Sequence, residues 1–211
     1  MRAGIVIVIS MIGILAGSPA FADAAAASAA LNVEIEQAYK ALIEKLDAPD
    51  ATVLKADQAD YIVGQAAKWP DGRNRFVPIS GERLIFLKSV NTKPPAGYAG
   101  RWENLYGYFE IAEKTRGLFS VTALVASPYS GGWICEFEGD GKIENGELEA
   151  VEKRNDSSDG LSDLFPKSVK PSVLHLTRQS GHLNVFAKPE EQATLCGWKG
   201  SINGNFFAVK Q

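Results

Sequence analysis

The chain has 211 residues, 45% of them hydrophobic and 22% charged, and a formal net charge of −3. Mild acidity of this kind disfavours nucleic acid as a partner, because nucleic-acid-binding chains concentrate positive charge. It would suit a basic protein partner, and no stretch after residue 22 is apolar enough to predict a transmembrane helix.

Residues 1–22 have the three parts of a secretory signal peptide. Arg2 provides the charged start, the run AGIVIVISMIGILAG the apolar core, and Ala20-Phe21-Ala22 a small-residue cleavage site. An uncleaved membrane anchor is the alternative, but the apolar core is shorter than the ~20 residues that span a bilayer comfortably. We therefore predict cleavage after Ala22 and a periplasmic or secreted chain. Loss of Arg2 leaves 21 basic against 25 acidic residues, a formal charge of −4.

Residues 23–90 are predicted to form a helical N-terminal domain. Between residues 29 and 68, apolar residues recur at three- and four-residue intervals, which is typical of amphipathic helices. The segment Asp47-Ala48-Pro49-Asp50 divides them, since acidic residues cap helices and proline is tolerated only in a first turn. So short a break predicts an antiparallel helical hairpin whose narrow apolar stripes need a further partner. The expected faces are Leu31, Ile35, Ala38, Leu42 and Leu46 in the first helix, and Ala51, Leu54, Gln58, Tyr61, Ile62 and Gln65 in the second.

The segment SGERLIFLKSVN, residues 80–91, fits two types of secondary structure. Ser80 is a good cap and favours a short helix, whereas the run RLIFL has no definite period and is equally compatible with a strand. The polar, proline-containing residues 91–105 are predicted to be a linker.

From residue 106 onwards, short apolar runs alternate with glycine and Asn-Gly turns, which is typical of β-hairpins. Eight such runs predict a small antiparallel β-barrel over residues 106–211, and hence an α+β fold for the whole chain. The runs are YGYFEIAEK, LFSVTALVA, WICEFEG, ELEAVEK, SVLHLTR, HLNVFAK, TLCGWKG and NFFAVK. The polar segment 155–171 is expected to be an exposed connection between the two halves of the barrel.

Cys135 and Cys196 are the two cysteines of the chain, and each is followed by glycine at the fourth position and later by Asn-Gly. In an oxidising compartment two cysteines are expected to pair, which would stabilise the fold by about 4 kcal/mol. A metal site would need more ligands than His175 and His182 supply, so we expect no metal or other cofactor. The repeated spacing predicts two pseudo-repeats of 61 residues with the cysteines in equivalent strands, although coincidence is the alternative.

An enzyme is not expected. Paired cysteines leave no thiol nucleophile, and neither histidine stands in a catalytic motif. The carboxylates of Glu136, Glu138, Asp140 and Glu144 alternate as a solvated strand face would, although paired acids of this kind also serve glycosidases.

The N-terminal stretch YKALIEKLDAPDATVLKADQADYI resembles the helical domain of the LprI-type lysozyme-inhibitor family. Leu42, Leu46, Asp47, Leu54, Gln58 and Tyr61 carry this resemblance. The stretch from Cys196 to Phe206 is similar to the C-terminal region of many exported proteins that contain that domain. The family's helical cysteines, and the Arg-Asp pair after the second-helix aromatic, are missing from this chain. The resemblance implies export and inhibition of a lysozyme.

Two functions are therefore expected. The first is a periplasmic inhibitor of a basic lysozyme that inserts the loop SPYSGGW into the enzyme's cleft, with Tyr129, Ser130, Gly131, Gly132 and Trp133 as the partner-binding residues. The second is a barrel that binds a small ligand or a component of the cell envelope, and a structural envelope protein is a further possibility. A filled barrel interior favours recognition by the surface, and a hollow one favours a ligand. Expected core or lining aromatics are Tyr106, Tyr108, Phe109, Phe119, Trp133, Phe137, Phe186, Trp198, Phe206 and Phe207.

Overall fold

The computed structural model describes residues 19–76, 80–94, 96–129, 132–153, 170–196 and 200–210. Within these ranges the fold is α+β, as predicted, with a helical N-terminal region followed by an antiparallel barrel. The helices are α1 Pro19–Ile43, α2 Ala48–Ala66, α3 Ser80–Ser89 and α4 Pro189–Leu195. The strands are β1 Gly100–Asn104, β2 Gly107–Thr115, β3 Leu118–Ala126, β4 Ile134–Glu144, β5 Glu147–Glu152, β6 Val173–Gln179, β7 His182–Phe186 and β8 Gly204–Ala208.

Each strand of the barrel pairs with the next one along the chain, and β1 closes the barrel by pairing with β8. All of these pairings are antiparallel, which short turns make possible. Asn145 and Gly146 form the tight turn between β4 and β5 with φ angles of 52° and 85°. Positive φ at both positions matches the twist of a two-residue hairpin and explains the Asn-Gly pair.

The barrel interior is filled by side chains. Residues alternate along β3 and β4, so that Val121 and Phe137 point inwards whereas Thr122 and Glu138 point outwards. A cavity large enough for a ligand would leave accessible area on the side chains that line it, and the interior side chains have almost none. Those at or below 2% exposure include Trp102, Phe109, Val121, Val125, Leu148, Leu174, Leu176, Leu183, Val185 and Phe206.

The predicted aromatic core is confirmed in part. The rings of Phe109 and Phe206 meet inside the barrel with their centroids 4.8 Å apart, and Phe119 and Phe137 are also buried there. Phe186, in contrast, points outwards and is 47% exposed, because it follows the inward-facing Val185. Trp198 lies outside the described residues.

The helices form a second apolar cluster outside the barrel. Ile35 and Leu42 of α1 and Leu54 and Tyr61 of α2 are buried there, as their spacing predicted. Ile62 was assigned to the same face but is exposed. The run from Ser80 is helical, as its cap indicated.

The predicted pairing of the two long helices is wrong, because α1 packs most closely on α3 rather than on α2. The reason is the polarity of the buried side of α2, which contains Asp50, Asp57 and Gln58. These groups need hydrogen-bond partners, and they find them on α3 and on the barrel. Helix α2 therefore turns its buried face towards Arg83 of α3 and towards the strand ends.

The helical region and the barrel share a buried interface. Phe207 points out of the barrel, yet it is fully buried because Phe86 of α3 packs against it with ring centroids 6.4 Å apart. Just after α3, Val90 forms a bridge with Val209, and the Asn91 amide donates to the Ala208 carbonyl at 2.8 Å. The predicted linker 91–105 also contains strand β1, which begins the barrel at Gly100. The barrel therefore starts earlier than residue 106.

The predicted second cysteine strand is wrong, although the disulfide is confirmed. Cys135 lies in β4, whereas Cys196 ends helix α4, and the bond joins these two elements. Asn203-Gly204 leads into β8 and is not a hairpin turn like Asn145-Gly146. Pro189 and two glutamates provide the helix start that the strand prediction overlooked. The two cysteines are thus not equivalent, and this topology lends no support to the pseudo-repeats.

Candidate interaction surface

The outer side of strands β1–β4 forms a surface that the helices leave open. Neighbouring strands place Tyr108, Leu124 and Glu136 in one row across it, and Glu110, Thr122 and Glu138 in the next. Leu124 and Ile134 are exposed, Ile134 to 58%. We call this surface the outer β face and define it by Tyr108, Glu110, Leu124, Ile134 and Glu136. It combines exposed apolar side chains with carboxylates, which is unusual for a solvated strand face.

The carboxylates of the outer β face differ in how they are compensated. Arg101 donates to Glu103 and to Glu110 at 2.5 Å each, while its guanidinium lies 4.0 Å from the centroid of the Tyr108 ring. Burial lowers the pKa of Arg101, but the two hydrogen bonds outweigh burial and raise it. Glu136 forms no ion pair with any of the described residues and is exposed. The negative charge of Glu136 is therefore available to a basic partner.

Further along β4, Asp140 is bound by two lysines. Lys114 donates to it at 2.5 Å, and Lys153 approaches it to 3.3 Å and Glu138 to 3.5 Å. The hydrogen bond from Lys114 holds the pKa of Asp140 below its usual 3.8. Of the carboxylates that resembled a pair of glycosidase acids, Glu138 and Asp140 thus have lysine partners on the outer side of the strand.

A cleft of about 390 Å³ borders the outer β face where α3 meets the β1–β2 hairpin. Its lining includes the apolar side chains of Phe86 and Leu105 together with charged and aromatic side chains such as Arg101, Glu103 and Tyr108. A volume of this size falls within the range of small-molecule sites, roughly 300–1,000 Å³.

Two hydrogen bonds fix the turn at the end of the cleft. The Tyr106 hydroxyl donates to Asp60 at 2.9 Å, and the Leu105 amide donates to Asp57 at 3.0 Å. Burial, together with the nearby carboxylate of Asp60, raises the pKa of Tyr106. The tyrosine therefore stays a hydrogen-bond donor at all physiological pH values.

The loop predicted to bind a partner lies next to the outer β face, before Ile134. It is closed at its base by the Ser127 amide, which donates to the Trp133 carbonyl at 2.8 Å. Trp133 packs partly against the barrel core, and Gly132 is exposed. Tyr129 is half-buried and packs edge-on against Phe76, with ring centroids 5.9 Å apart. Ser130 and Gly131, between Tyr129 and Gly132, lie outside the described residues.

Sequence reasoning missed two features near this loop. One is the outer β face itself, because strand alternation places Leu124 and Ile134 on the outer side but does not show which part of that side the helices cover. The other is the segment WPDGRNRF, in which Trp69 and Arg75 stack with 4.6 Å between the guanidinium carbon and the ring centroid. A tryptophan beside several basic residues was the available signal.

The two histidines are structural in their surroundings. His182 Nδ1 lies 2.6 Å from Asp50, both side chains being nearly fully buried, and the pair joins α2 to the β6–β7 turn. His175 is only partly buried and lies 3.7 Å from Glu147. Within the described residues, no helix is long and apolar enough to cross a membrane.

Comparisons of the chain with family models, with curated proteins and with solved structures found no match.

Proposed function

We propose that this chain is an exported binding protein that recognises a basic protein partner through its outer surface, most concretely a lysozyme that it inhibits. The observation that carries the proposal is the filled barrel. Interior side chains such as Phe109 and Leu174 have no accessible area, so binding has to occur on the outside. A structural disulfide fits an oxidising compartment such as the periplasm, where a lysozyme would be met.

The outer β face supplies the two properties that such a partner needs. Exposed Leu124 and Ile134 are apolar groups that a partner would bury, and burial of apolar area is the main source of affinity. Glu136 beside them attracts a basic protein, which raises the association rate more than the affinity. The loop from Tyr129 to Trp133 continues this surface, so insertion of the loop into an enzyme cleft remains part of the proposal.

A lysis assay tests this function. Bacterial cells are lysed with chicken-type, goose-type or invertebrate-type lysozyme while the chain is added up to micromolar excess. We expect inhibition of at least one type, and we expect the inhibition to weaken as salt screens the charges. No inhibition of any type would contradict the proposal.

Variants within β4 locate the site, because this strand offers matched controls. Ile134→Ser and Glu136→Lys lie on the outer β face, whereas Ile143→Ser and Glu144→Lys make the same changes to exposed residues at the opposite end of the strand. We expect inhibition to fall at least about tenfold for the first pair and to stay unchanged for the second, since a few central residues carry most of the binding energy. Tyr129→Ala tests the loop separately, and full inhibition by that variant would remove the loop from the site.

The second candidate function is binding of a small ligand, and the observation that favours it is the cleft between α3 and the β1–β2 hairpin. On this alternative the ligand lies against Phe86 and Leu105 rather than inside the barrel. Native mass spectrometry of the chain, purified without denaturation, should then detect a bound small molecule. Leu105→Trp fills the cleft and should abolish that binding.

A further inference from the structure

The segment 67–76, between α2 and α3, folds into a tight hairpin that extends into solvent; we call it the tip hairpin. The Trp69 amide donates to the Arg73 carbonyl, and the Gly72 amide donates to the Trp69 carbonyl, both at 2.8 Å. Lys68 and Asn74 face each other across the two arms. Gly72 has a φ of 83°, a conformation that closes the turn and that other residues rarely adopt.

The tip hairpin is held against the rest of the chain by Phe76 and by Arg75, whose guanidinium lies 5.8 Å from the centroid of the Tyr129 ring. The Phe76 ring packs edge-on against Tyr61 of α2 and Tyr129 of the β3–β4 loop, with centroid distances of 5.7 and 5.9 Å. A Cβ atom at Gly64 would lie 2.2 Å from the Phe76 ring, so glycine is what allows this close contact. The exposed end of the hairpin is therefore presented from a fixed base.

The exposed end is cationic and aromatic. It carries three basic residues, Lys68, Arg73 and Arg75, against the single acid Asp71, which pairs with Arg73 at 2.7 Å, on a chain whose net charge is −3. The Arg75 guanidinium lies over the Trp69 ring, and Trp69 is 36% exposed. Positive charge is thus concentrated at this end of an otherwise acidic chain.

An exposed apolar stripe of α2 leads directly to the tip hairpin. Ile62 and Val63 are 58% and 63% exposed, which is unusual for such residues on a helix that has a buried face. Ala59 and Ala66 are exposed with them, and the spacing of three and four residues places all four on one side of the helix. The stripe ends at Ala66, three residues before Trp69 in the chain.

We propose that the tip hairpin and this stripe dock on the surface of an anionic phospholipid bilayer. An apolar stripe bordered by a tryptophan and basic side chains is the composition of segments that lie in the bilayer interface. The apolar side chains enter the acyl boundary, the tryptophan lies at the headgroups, and Lys68, Arg73 and Arg75 contact the lipid phosphates. Charge complementarity selects anionic lipid as the occupant, because three basic residues stand against one acid in the tip hairpin, whereas the whole chain is acidic. This goes beyond the proposed function and uses a different surface.

Vesicle binding tests the proposal. The chain is recovered from the periplasm of an expressing bacterium, its N-terminus is established by intact mass, and all variants are required to share it. Binding is measured by co-sedimentation with vesicles of pure phosphatidylcholine and with vesicles that contain phosphatidylglycerol. We expect binding to the anionic vesicles that falls with added salt, a blue shift of tryptophan emission on binding, and at least about tenfold weaker binding to the neutral vesicles.

Matched variants distinguish binding through the tip hairpin and the stripe from binding that depends only on the overall charge or hydrophobicity of the chain. Arg73→Glu and Ile62→Ser are each expected to weaken binding at least about fivefold, as expected for one interfacial cation or one buried apolar group. Lys142→Glu and Ile143→Ser, on exposed residues of β4 away from the tip hairpin, are expected to leave binding unchanged. Trp69→Ala is expected to weaken binding and to remove the blue shift.

Three results would overturn the proposal: no binding at millimolar lipid, equal binding to neutral and anionic vesicles, or equal loss in the control variants. Urea denaturation of each variant shows whether the fold is kept. A variant that unfolds is replaced by Arg73→Gln or Ile62→Asn, for which the same losses in reduced size are expected.

Discussion

The ion pair between Arg83 and Asp57 gives the sharpest test of how the helices are joined to the barrel. Arg83 donates to Asp57 at 2.5 Å and to the side-chain oxygen of Gln58 at 2.6 and 3.0 Å. The two charged side chains are only 2% and 8% exposed, so neither is solvated by water. Asp57 also accepts the Leu105 amide at 3.0 Å, which ties the pair to the turn after β1.

Replacement of Arg83 by methionine removes the guanidinium but keeps most of the side-chain volume. The carboxylate of Asp57 would then remain buried without its counter-charge, which costs roughly 3–5 kcal/mol of unfolding free energy. A domain of this kind has about 5–15 kcal/mol in total, so the variant should still fold. The unfolding free energy is measured by urea denaturation, followed by the fluorescence of the four tryptophans.

Asp57→Asn distinguishes a buried ion pair from a surface ion pair by the sign of the change in unfolding free energy that it causes. In the wild-type chain Asp57→Asn leaves the guanidinium of Arg83 buried without a counter-charge, so it should destabilise the fold. In the Arg83→Met variant the same change removes the unpaired buried carboxylate, so it should stabilise the fold by about 1–3 kcal/mol. The exposed pair Arg73–Asp71 is the control, for which the same two substitutions should change stability by less than about 1 kcal/mol. If Asp57→Asn destabilised both backgrounds equally, the pair would not lie in a low-dielectric interface.

Three further predictions concern other parts of the fold. Gly64→Ala should lower the unfolding free energy, measured by urea denaturation, by roughly 1–3 kcal/mol because the new Cβ meets Phe76. Gly81→Ala, whose new Cβ meets only open space, should raise the unfolding free energy by a few tenths to about 1 kcal/mol. A gain in unfolding free energy at both positions would contradict the packing of Phe76 on Gly64. Reduction of the disulfide should lower the unfolding free energy by about 4 kcal/mol, measured by urea denaturation with and without reductant, and no change would mean that the closed loop is ordered in the unfolded chain as well. Burial and Asp60 raise the pKa of Tyr106, so the unfolded state loses this proton above its usual pKa of 10.0 while the folded state keeps it. The contribution of Tyr106 to the unfolding free energy is then fully present below pH 10 and is lost as the pH rises further. Tyr106→Phe should reduce this loss of stability at alkaline pH. Identical alkaline unfolding of both chains would contradict a raised pKa of Tyr106.

The fold was largely predictable where one periodicity dominates. Leu31 to Leu42 follow a helical period and Phe119 to Val125 a strand period, and the structure confirms both elements. The run around Cys196 was not predictable from periodicity, because a short apolar stretch fits helix and strand alike, and the start at Pro189 decided for helix. Strand β1 was missed because Trp102 stands alone among polar residues, and its pairing with both β2 and β8 is a non-local property.

The candidate sites were harder to predict for a physical reason. Exposure of Leu124, Ile134 and Ile62 depends on which barrel surface the helices cover, and that depends on the polar contacts of α2. Sequence periodicity describes one element at a time and contains no information on this arrangement. The loop from Tyr129 to Trp133 was identified from its composition, and its position at the edge of the outer β face became visible only in the structure.

Recognition by the outer β face is decided by the affinity of the chain for a chicken-type lysozyme, determined by titration at low and at physiological salt. We expect a saturable complex that weakens with salt. Ile134→Ser combined with Glu136→Lys should weaken it at least about tenfold, and Ile143→Ser combined with Glu144→Lys should leave it intact. Equal affinity of the two double variants would contradict recognition by the outer β face, and no binding to any basic lysozyme would contradict the function itself.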